Sequence, residues 1–351
     1  MKPFTFIDLF AGIGGIRIAF EKSGGVCVFS SEIDKYAKDT YEANFHERPF
    51  GDITKIDPSE IPDHTILLGG FPCQTFSICG SRKGFRSAEG TLFFSICKIL
   101  DEKRPYALML ENVKNLKSHD GGRTISKIMA MLRDLGYNAR YDILNALDFG
   151  LPQKRERTII VGFRDSALFE FPEHCENTGR LEDILEDVIP DKYFLSNDIR
   201  RKRFEKVKPG YPTPSIWHEN KSGNISALPY SCALRAGASH NYLSVNGIRR
   251  LTPRELLRLQ GFPDNFKIIV SDAQIRKQAG NSVSIPVIAA VAKNMVKTMK
   301  ESASPQQHDG PGPKDASPQC SPATIPPDPD HPNHDTMTDR PPLAHEGTPT
   351  Q

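Results

Sequence analysis

Short apolar runs alternate with amphipathic stretches between residues 4 and 165, and this alternation restricts the possible folds more than any other feature of the sequence. FTFIDLF, VCVFSS, TILLGG, YALMLEN and TIIVGF have the length and composition of buried strands, and stretches such as YAKDTYEANF and ISKIMAMLRDLG have helical periodicity. Strands and helices in turn are typical of βαβ units. We therefore predict a doubly wound α/β fold with a mostly parallel sheet.

The pattern dissolves from residue 186 to about residue 250, where the basic cluster IRRKRFEKVKPG and the loop-rich HENKSGNISALP occur. Helical signals return at TPRELLRLQGF and SIPVIAAVAKNMVKTMK. We predict a first domain of residues 1–185 together with 272–301, and a smaller second domain with a hinge over residues 186–271. Residues 302–351 lack periodicity and are rich in Pro, Ser, Asp and His, which predicts a disordered low-complexity tail.

Composition excludes several classes of protein. The seven cysteines form no C-x-x-C pair and follow no metal-ligand spacing, so neither a disulfide framework nor a metal site is expected. The sequence has no signal-peptide pattern and no apolar run as long as a membrane span, which favours a cytoplasmic protein without membrane contact. The formal net charge of +2 neither requires nor excludes a nucleic-acid partner.

Ligands of a doubly wound sheet bind beyond the carboxyl ends of its strands, and the first candidates occur there. The loop AGIGG follows the first strand, but Arg17 stands where a dinucleotide fingerprint requires a third glycine. Glu32 and Asp52, which follow later segments, are suited to accept hydrogen bonds from ribose hydroxyls and from an amino group. These features indicate an adenosine-bearing ligand without a pyrophosphate. Alternatively, both carboxylates are helix caps or solvated turn residues.

Cys73 follows Pro72 in GGFPCQ, at the end of one predicted strand, and Glu111 ends the next, YALMLENV. If the two strands are neighbours, the thiol and the carboxyl face one crevice. A nucleophilic role requires surroundings that favour the thiolate, and a carboxyl at such a strand end is suited to general acid catalysis. The alternative for Cys73 is an inert core residue, although Gly, Pro and Gln are poor neighbours for a core.

The charged segment QKRER precedes its strand, TIIVGF, instead of following it. If that strand is antiparallel, its start lies at the same edge as Cys73 and Glu111, and Arg155 and Arg157 then point into the crevice. A thiolate and a substrate carbonyl both require donors of this kind. Alternatively, QKRER is a solvated basic turn.

Seven blocks in order resemble the cytosine-5 DNA methyltransferases. They are DLFAGIGG, GDI, GGFPCQTFS, ENV, QKRER, RRLTPRELLRLQGFP and GNSVSIPV. The resemblance covers about residues 4–299 except the variable stretch after residue 165, and it implies the methyltransferase form of the doubly wound fold with S-adenosylmethionine as methyl donor and no metal. The first domain becomes the catalytic domain, and the second becomes the target-recognition domain.

The resemblance assigns roles to individual residues. It implies that Glu32 binds the ribose and Asp52 the adenine amino group. Cys73 would add to carbon 6 of cytosine so that carbon 5 accepts the methyl group, while Glu111 protonates the ring and Arg157, with Arg155 beside it, steadies the base carbonyl. The full cofactor set is Phe10, Ala11, Gly12, Gly14, Gly15, Glu32, Ile33, Asp52, Ile53, Pro72, Asn281 and Ser282.

The same resemblance implies a duplex DNA substrate whose target base is flipped out of the helix. QTFSICGSRKGFRSAEG would be the mobile loop that closes over that base, and residues 186–250 would recognise the target sequence. The expected DNA contacts are Gln74, Ser77, Arg82, Lys83 and Arg235. One departure concerns the Thr-Leu pair that the family often has late in this region, because CALRAG offers Ala233 and Leu234 instead.

Two other functions remain open at this stage. An RNA cytosine methyltransferase of similar fold could share Cys73 and Glu111, whereas a catalytically dead binding module is expected to lack one of them. The compact core favours a bacterial modification enzyme, monomeric and associated with the nucleoid, whose genetic partner is a cognate restriction endonuclease. No rule links such a recognition region to a base sequence.

Overall fold

A six-stranded sheet lies at the centre of the computed structural model, which describes residues 3–71, 92–174, 179–220, 222–239 and 241–303. Its strands are β1 (Phe4–Leu9), β2 (Gly25–Ser31), β3 (Ile66–Gly70), β4 (Ala107–Val113), β5 (Asn138–Asn145) and β7 (Glu156–Phe163), in the order β2-β1-β3-β4-β7-β5. Strands β1 to β4 run parallel, and β7 runs antiparallel to both β4 and β5. The predicted mostly parallel α/β fold is confirmed, and β7 begins at the edge where β3 and β4 end.

Helices cover both faces of this sheet because successive strand residues point to opposite sides. On one face, Phe6 and Leu68 pack with α1 (Gly15–Lys22) and the long final helix α8 (Ile285–Ala303). On the other face, their chain neighbours Ile7 and Leu67 pack with α3 (Leu92–Lys103) and α4 (Arg123–Asp134). A further helix, α2 (Lys35–Phe45), contributes Ala37 to the first of these two layers.

Residues 186–250 contain only short elements in their described part. They are α5 (Asn197–Phe204), β8 (Ile216–Glu219), β9 (Ile225–Leu228), β10 (Ser231–Cys232) and β11 (Leu243–Val245). Strands β11, β8 and β9 form an antiparallel sheet, and β10 pairs with the two-residue β6 (Gln153–Lys154) just before β7. Through this pairing, the irregular region is joined to the edge where β7 starts.

The chain returns to the main sheet through α6 (Pro253–Arg258) and α7 (Asp272–Asn281). Thr252 and Glu255 form a reciprocal capping box that starts α6 as the sequence predicts. Helix α8 extends to Ala303, so residues 302 and 303 of the predicted tail are helical, and the remainder of that tail lies outside the described residues.

Two wider observations concern the same ranges. Residues 3–303 fall within one compact unit, Met1–Pro305, and the division into two domains stays a prediction. No helix in the part of the chain that the structure describes is long and apolar enough to cross a membrane.

Candidate active site

The turn after β1 presents backbone groups at the carboxyl edge of the sheet. Phe10 and Gly12 have φ angles of 58° and 56°, and Gly14 has a φ of 84°. The turn is closed by a hydrogen bond of 2.8 Å from Gly14 N to Ala11 O and is joined to β2 by one of 2.9 Å from Ala11 N to Ser31 O. A chain that reverses this tightly leaves its peptide groups open to a ligand.

Gly15 has a different role, because it is the point of closest packing behind this turn. A Cβ atom on Gly15 would lie 2.8 Å from Ser282 Oγ and 3.0 Å from a Val283 methyl carbon. The start of α1 and the segment after α7 are therefore in direct contact. Gly15 and Ser282, both expected to bind cofactor, form the wall behind the turn.

Glu32 holds the turn in place from the end of β2. Its Oε2 accepts a hydrogen bond of 2.8 Å from Gly12 N, and its Oε1 accepts one of 2.8 Å from Asp34 N. Each carboxylate oxygen has a second lone pair, so Glu32 keeps acceptor capacity for a hydroxyl group. The residue is both a backbone brace and a candidate ligand contact.

Asp52 caps the short helical turn Ile53–Lys55. Its Oδ1 accepts hydrogen bonds from Thr54 N at 3.0 Å and from Thr54 Oγ1 at 2.7 Å. These hydrogen bonds hold the pKa of the Asp52 carboxyl below its usual range, so the side chain is an anion and an acceptor at neutral pH. The alternative in which Asp52 is a cap is thus compatible with a role toward a ligand.

Glu111 and Arg157 form an ion pair at the ends of β4 and β7. Antiparallel pairing places Arg157 opposite Val113, two residues from Glu111 on the same face of the sheet. Arg157 Nε lies 2.9 Å from Glu111 Oε1, and the two side chains are 17% and 12% exposed. This pairing fixes the orientation of a carboxyl that sequence reasoning selected as a general acid.

Asn112 is a residue that sequence reasoning missed, although it stands in the block ENV. Its buried Nδ2 donates a hydrogen bond of 2.9 Å to Phe71 O, the last described backbone group before residue 72. The position directly after Glu111 was the available signal. Six predicted site residues lie outside the described residues, namely Pro72, Cys73, Gln74, Ser77, Arg82 and Lys83.

A cavity of about 380 Å³ joins these features. It is lined by ten of the predicted site residues, namely Phe10, Gly12, Glu32, Ile33, Asp52, Ile53, Glu111, Arg155, Arg157 and Asn281. Ala11, Gly14, Gly15 and Ser282 do not line it. The carboxylates of Glu32 and Asp52 and the pair of Glu111 and Arg157 therefore belong to one cavity of a size typical for small-molecule sites.

Two further lining residues, Lys277 and Gln278, were not selected from the sequence. Lys277 Nζ lies 2.5 Å from Asp34 Oδ2, and Gln278 Nε2 donates to Tyr36 O at 2.9 Å. Both residues precede the block GNSVSIPV by only a few positions. They attach the end of α7 to the start of α2 and so close the cavity on the side of Glu32.

Arg155 also borders the cavity, but its guanidinium is directed at the backbone. It donates to the carbonyl oxygens of Leu234 and Gly280 at 3.1 and 3.2 Å, and to that of Ser282. Burial and the charge of neighbouring Arg157 lower the pKa of Arg155. The two arginines of QKRER therefore have different surroundings.

Arg235 lies on the surface, with its guanidinium 5.0 Å from the centroid of the Tyr242 ring. Its Nη2 is 3.5 Å from His218 Nε2, and burial together with the Arg235 charge lowers the pKa of His218. No ion pair joins Arg235 to a carboxylate among the residues that the structure describes. Nor do the described residues contain a group of three or more His, Cys, Asp or Glu side chains able to hold a metal ion.

The chain has relatives among known proteins. The model of the C-5 cytosine-specific DNA methylase family matches residues 4–297. Type II methyltransferase M.NgoBI of Neisseria gonorrhoeae is 61% identical over 293 residues, which cover 83% of this chain and 92% of that protein. M.HaeII of Haemophilus aegyptius is 58% identical over 301 residues, covering 85% and 95%, and M.HhaI of Haemophilus parahaemolyticus is 41% identical over 313 residues, covering 84% and 95%.

A solved structure of the Entamoeba histolytica methyltransferase EhMeth superposes with a TM-score of 0.67 at 19% identity, covering 87% of this chain and 100% of that one. A putative DNA modification methyltransferase of an Escherichia coli prophage superposes with a TM-score of 0.63 at 20% identity, covering 85% and 99%. At these identities the likeness concerns the fold.

Proposed function

The chain is a member of the C-5 cytosine-specific DNA methylase family, and from this premise we propose that it methylates carbon 5 of a flipped-out cytosine in duplex DNA through a covalent bond to Cys73. Its membership confirms the resemblance of the seven sequence blocks and makes the protein a DNA (cytosine-5-)-methyltransferase. The observation that carries the finer proposal is the single cavity that Glu32 and Asp52 share with Glu111 and Arg157.

The cavity suits S-adenosylmethionine as the methyl donor. Glu32 and Asp52 are acceptors for ribose hydroxyls and an adenine amino group, and the turn of residues 10–15 offers its backbone. The cationic residues among the described lining already have partners, since Lys277 pairs with Asp34, Arg157 with Glu111 and Arg155 with backbone carbonyls. The lining therefore favours a nucleoside without phosphates. When bound there, S-adenosylmethionine supplies the methyl group.

The protein groups at the other end of the cavity act on the base. We assign Cys73 as the thiolate that bonds to carbon 6, which makes carbon 5 nucleophilic, and Glu111 as the group that protonates the ring nitrogen as negative charge develops. Arg157, held by Glu111, donates to the base carbonyl. After methyl transfer, solvent takes the proton from carbon 5, the ring nitrogen returns its proton to Glu111, and the bond between carbon 6 and sulfur breaks, which restores the Cys73 thiolate.

Residues on the recognition side contact the DNA. Arg235 presents a positive charge without a carboxylate partner in the described ranges, and Gln74, Ser77, Arg82 and Lys83 belong to the proposed loop that closes over the base. Flipping the base costs a few kcal/mol, which these contacts offset.

The proposal extends to the setting of the enzyme. Its named relatives M.NgoBI, M.HaeII and M.HhaI are type II methyltransferases of bacteria. We therefore place this enzyme in a restriction-modification system with a cognate restriction endonuclease as genetic partner. It acts as a monomer on chromosomal DNA in the bacterial cytoplasm.

Duplex DNA that carries fluorine at carbon 5 of cytosine tests the proposal. Fluorine cannot leave as a proton does, so the step that frees Cys73 is blocked after methyl transfer. A random-sequence duplex library amplified with 5-fluoro-dCTP in place of dCTP supplies candidate recognition sequences, and we expect a protein–DNA adduct that survives denaturing electrophoresis. The adduct should require S-adenosylmethionine and should map to the peptide that contains Cys73.

Cys73→Ala and Cys79→Ala are the matched variants, because both remove one thiol of the same segment. The adduct should vanish with the first and persist with the second. An adduct that survives Cys73→Ala, or that forms on transfer RNA and not on duplex DNA, contradicts the proposal.

A further inference from the structure

Three buried polar side chains lie between the recognition region and the end of α7. Gln153 and Gln260 are 0% exposed, and Arg155 is 2% exposed. Gln153 and Arg155 come just before β7, whereas Gln260 follows α6. Most buried polar groups are hydrogen-bonded, so the partners of these side chains indicate what they hold together.

The backbone of Leu234 is held at both of its polar atoms. Leu234 N donates a hydrogen bond of 3.0 Å to Gln153 Oε1, and Leu234 O accepts one of 3.1 Å from Arg155 Nη1. The second nitrogen of the same guanidinium, Nη2, donates to Gly280 O at 3.2 Å and to Ser282 O. One planar group therefore joins residue 234 to residues 280 and 282.

Gln260 joins the same segments through its side-chain amide. Its Nε2 donates to Ala279 O at 2.6 Å, and its Oε1 accepts a hydrogen bond of 3.2 Å from Gln153 Nε2. Gln153 Nε2 also donates to Leu259 O at 2.7 Å. The three side chains form one connected network with fixed partners.

Shape, more than charge, determines why an arginine occupies position 155. No ion pair joins Arg155 to a carboxylate in the described ranges, and the nearby carboxyl of Glu111 pairs with Arg157. A guanidinium offers donors in a rigid plane, whereas a lysine ammonium is a single point on a flexible stem. Only the planar fork reaches carbonyls on two separate segments at once.

The two segments that Arg155 joins have different neighbours. Next to Leu234 is the exposed Arg235, and next to Gly280 is Asn281, which lines the cavity. The segments also touch directly, because a Cβ atom on Gly280 would lie 2.4 Å from Ala236 N. Residues 234–236 therefore pack directly against the segment that forms this wall of the cavity.

We propose that Arg155 is a positioning residue that couples DNA binding at residues 234–236 to cofactor binding at residues 280–282, and not a group that donates to the substrate. This inference rests on the proposed function, since it takes DNA and S-adenosylmethionine as the two ligands. Coupling of this kind is reciprocal, so each ligand tightens the binding of the other by the same factor.

Calorimetry of S-adenosylhomocysteine binding, with and without a duplex that the wild-type enzyme methylates, measures the coupling. Coupled sites typically change each other's affinity by about fivefold or more. We therefore expect the duplex to tighten S-adenosylhomocysteine binding at least about fivefold in the wild type and less than about twofold in Arg155→Lys. Arg164→Lys is the matched control, because Arg164 Nη1 also donates to a backbone carbonyl, that of Arg104 at 2.8 Å, beyond the opposite end of β7. It should keep the wild-type ratio.

Gly280→Ala serves as the second variant and decides the outcome if Arg155→Lys does not fold. It keeps the guanidinium but pushes the backbone of residue 236 away from α7, so the ratio of the affinities with and without the duplex should again fall below about twofold, whatever the affinity for S-adenosylhomocysteine alone. Wild-type coupling retained in a folded Arg155→Lys or Gly280→Ala protein overturns the inference, as does an active wild type without coupling. A wild type that methylates no duplex in a random-sequence library, so that no duplex is available for the titration, contradicts the proposed function instead.

Discussion

The central sheet and residues 186–250 satisfy their backbone polar groups in different ways. In the sheet, strands of five to eight residues pair with neighbours along their length, and apolar side chains fill both layers between sheet and helices. In residues 186–250, the described strands have two to four residues. Much of the backbone there has no strand partner, and side chains take that role.

Several of these side chains are buried within residues 186–250. Ser215 N donates to Asn246 Oδ1 at 2.8 Å, and Trp217 Nε1 donates to Ser215 Oγ at 3.0 Å. Arg203 Nη2 lies 3.1 Å from Glu219 Oε2 and also donates to Asn241 O. Every such contact depends on one residue type, whereas a strand ladder tolerates many.

This difference separates polar residues that are placed for chemistry from polar residues that stabilise the fold. The sheet is stabilised by its apolar layers, so the polar residues at its carboxyl edge are free to carry chemistry. Residues 186–250 also bury apolar side chains such as Trp217 and Leu243, and polar side chains in their interior bond the backbone that the short strands leave unpaired. Removing a polar residue should therefore reduce activity at the sheet edge and reduce stability in residues 186–250.

Glu111→Gln is expected to have the largest effect, because it removes the titrating group at the sheet edge while keeping an oxygen for Arg157. We expect kcat to fall by about two to four orders of magnitude, the usual worth of an acid–base group, with little change in Tm. Glu156→Gln is the control, since Glu156 forms an exposed pair with Lys114 at 2.7 Å and lies outside the cavity lining. Equal rates for the two variants would remove Glu111 from the chemistry.

Arg249→Met tests the other half of the comparison. Arg249 donates two hydrogen bonds of 2.8 Å to the carboxylate of Glu255, which is 0% exposed, so the substitution leaves a buried charge without its partner. We expect a loss of about 3 to 5 kcal/mol in the free energy of unfolding, measured by urea denaturation.

The control for Arg249→Met is Arg201→Met in the same region. Arg201 pairs at 3.5 Å with the exposed Asp198, and an exposed pair of this kind contributes about 0 to 1 kcal/mol. If both substitutions lower the free energy of unfolding equally, buried polar contacts do not stabilise residues 186–250 more than exposed ones do, and the comparison fails.

Asp8→Asn tests the sheet itself, where Asp8 is a fully buried carboxyl one residue before the end of β1. Burial raises its pKa from 3.8 to about 8, although the charge of Arg17 partly opposes this change. The folded state thus favours the neutral carboxyl, and its contribution to stability is lost as the pH rises from about 4 to about 8. Asparagine is neutral throughout, so the stability of Asp8→Asn relative to the wild type should rise from pH 5 to pH 8, by roughly 3 to 4 kcal/mol for the full shift.

Thermal melts at pH 5 and pH 8 measure this gain. Asp57→Asn is the control with the opposite sign, because hydrogen bonds from Ser59 N and Oγ hold the pKa of the Asp57 carboxyl below its usual range. That substitution should lower Tm slightly at both pH values. A pH-independent effect of Asp8→Asn would mean that the carboxyl is ionised in the folded protein.

The same contrast explains how much could be predicted from the sequence. The order of strands and helices followed from periodicity, because parallel strands buried on both faces need continuous apolar runs. The antiparallel direction of β7 was a condition of the argument that placed Arg157 beside Glu111, and the structure fulfils it. Residues at strand ends could be predicted as site residues because their position follows from the fold class.

The contacts of Arg155 could not be predicted in this way. Its partners are backbone carbonyls 79, 125 and 127 residues away along the chain, and a carbonyl group has no sequence signature. The two arginines of QKRER therefore look equivalent in sequence. Only the fold distinguishes them, because it brings the carbonyls of Leu234 and Gly280 to Arg155 and the carboxyl of Glu111 to Arg157. Short strands in residues 186–250 escaped prediction because two to four residues are too few to show a period.

The cavity draws its lining from stretches spread along most of the chain, from the turn that starts at Phe10 to the end of α7 at Asn281. During synthesis, the ribosome delivers the turn, Glu32 and Asp52 long before it delivers α7, and contacts so far apart in sequence are slow to form. A nascent chain thus holds most of the side chains that line the cavity before it can close the cavity. We therefore expect a newly made molecule to gain its binding site only after α7 has been synthesised and packed.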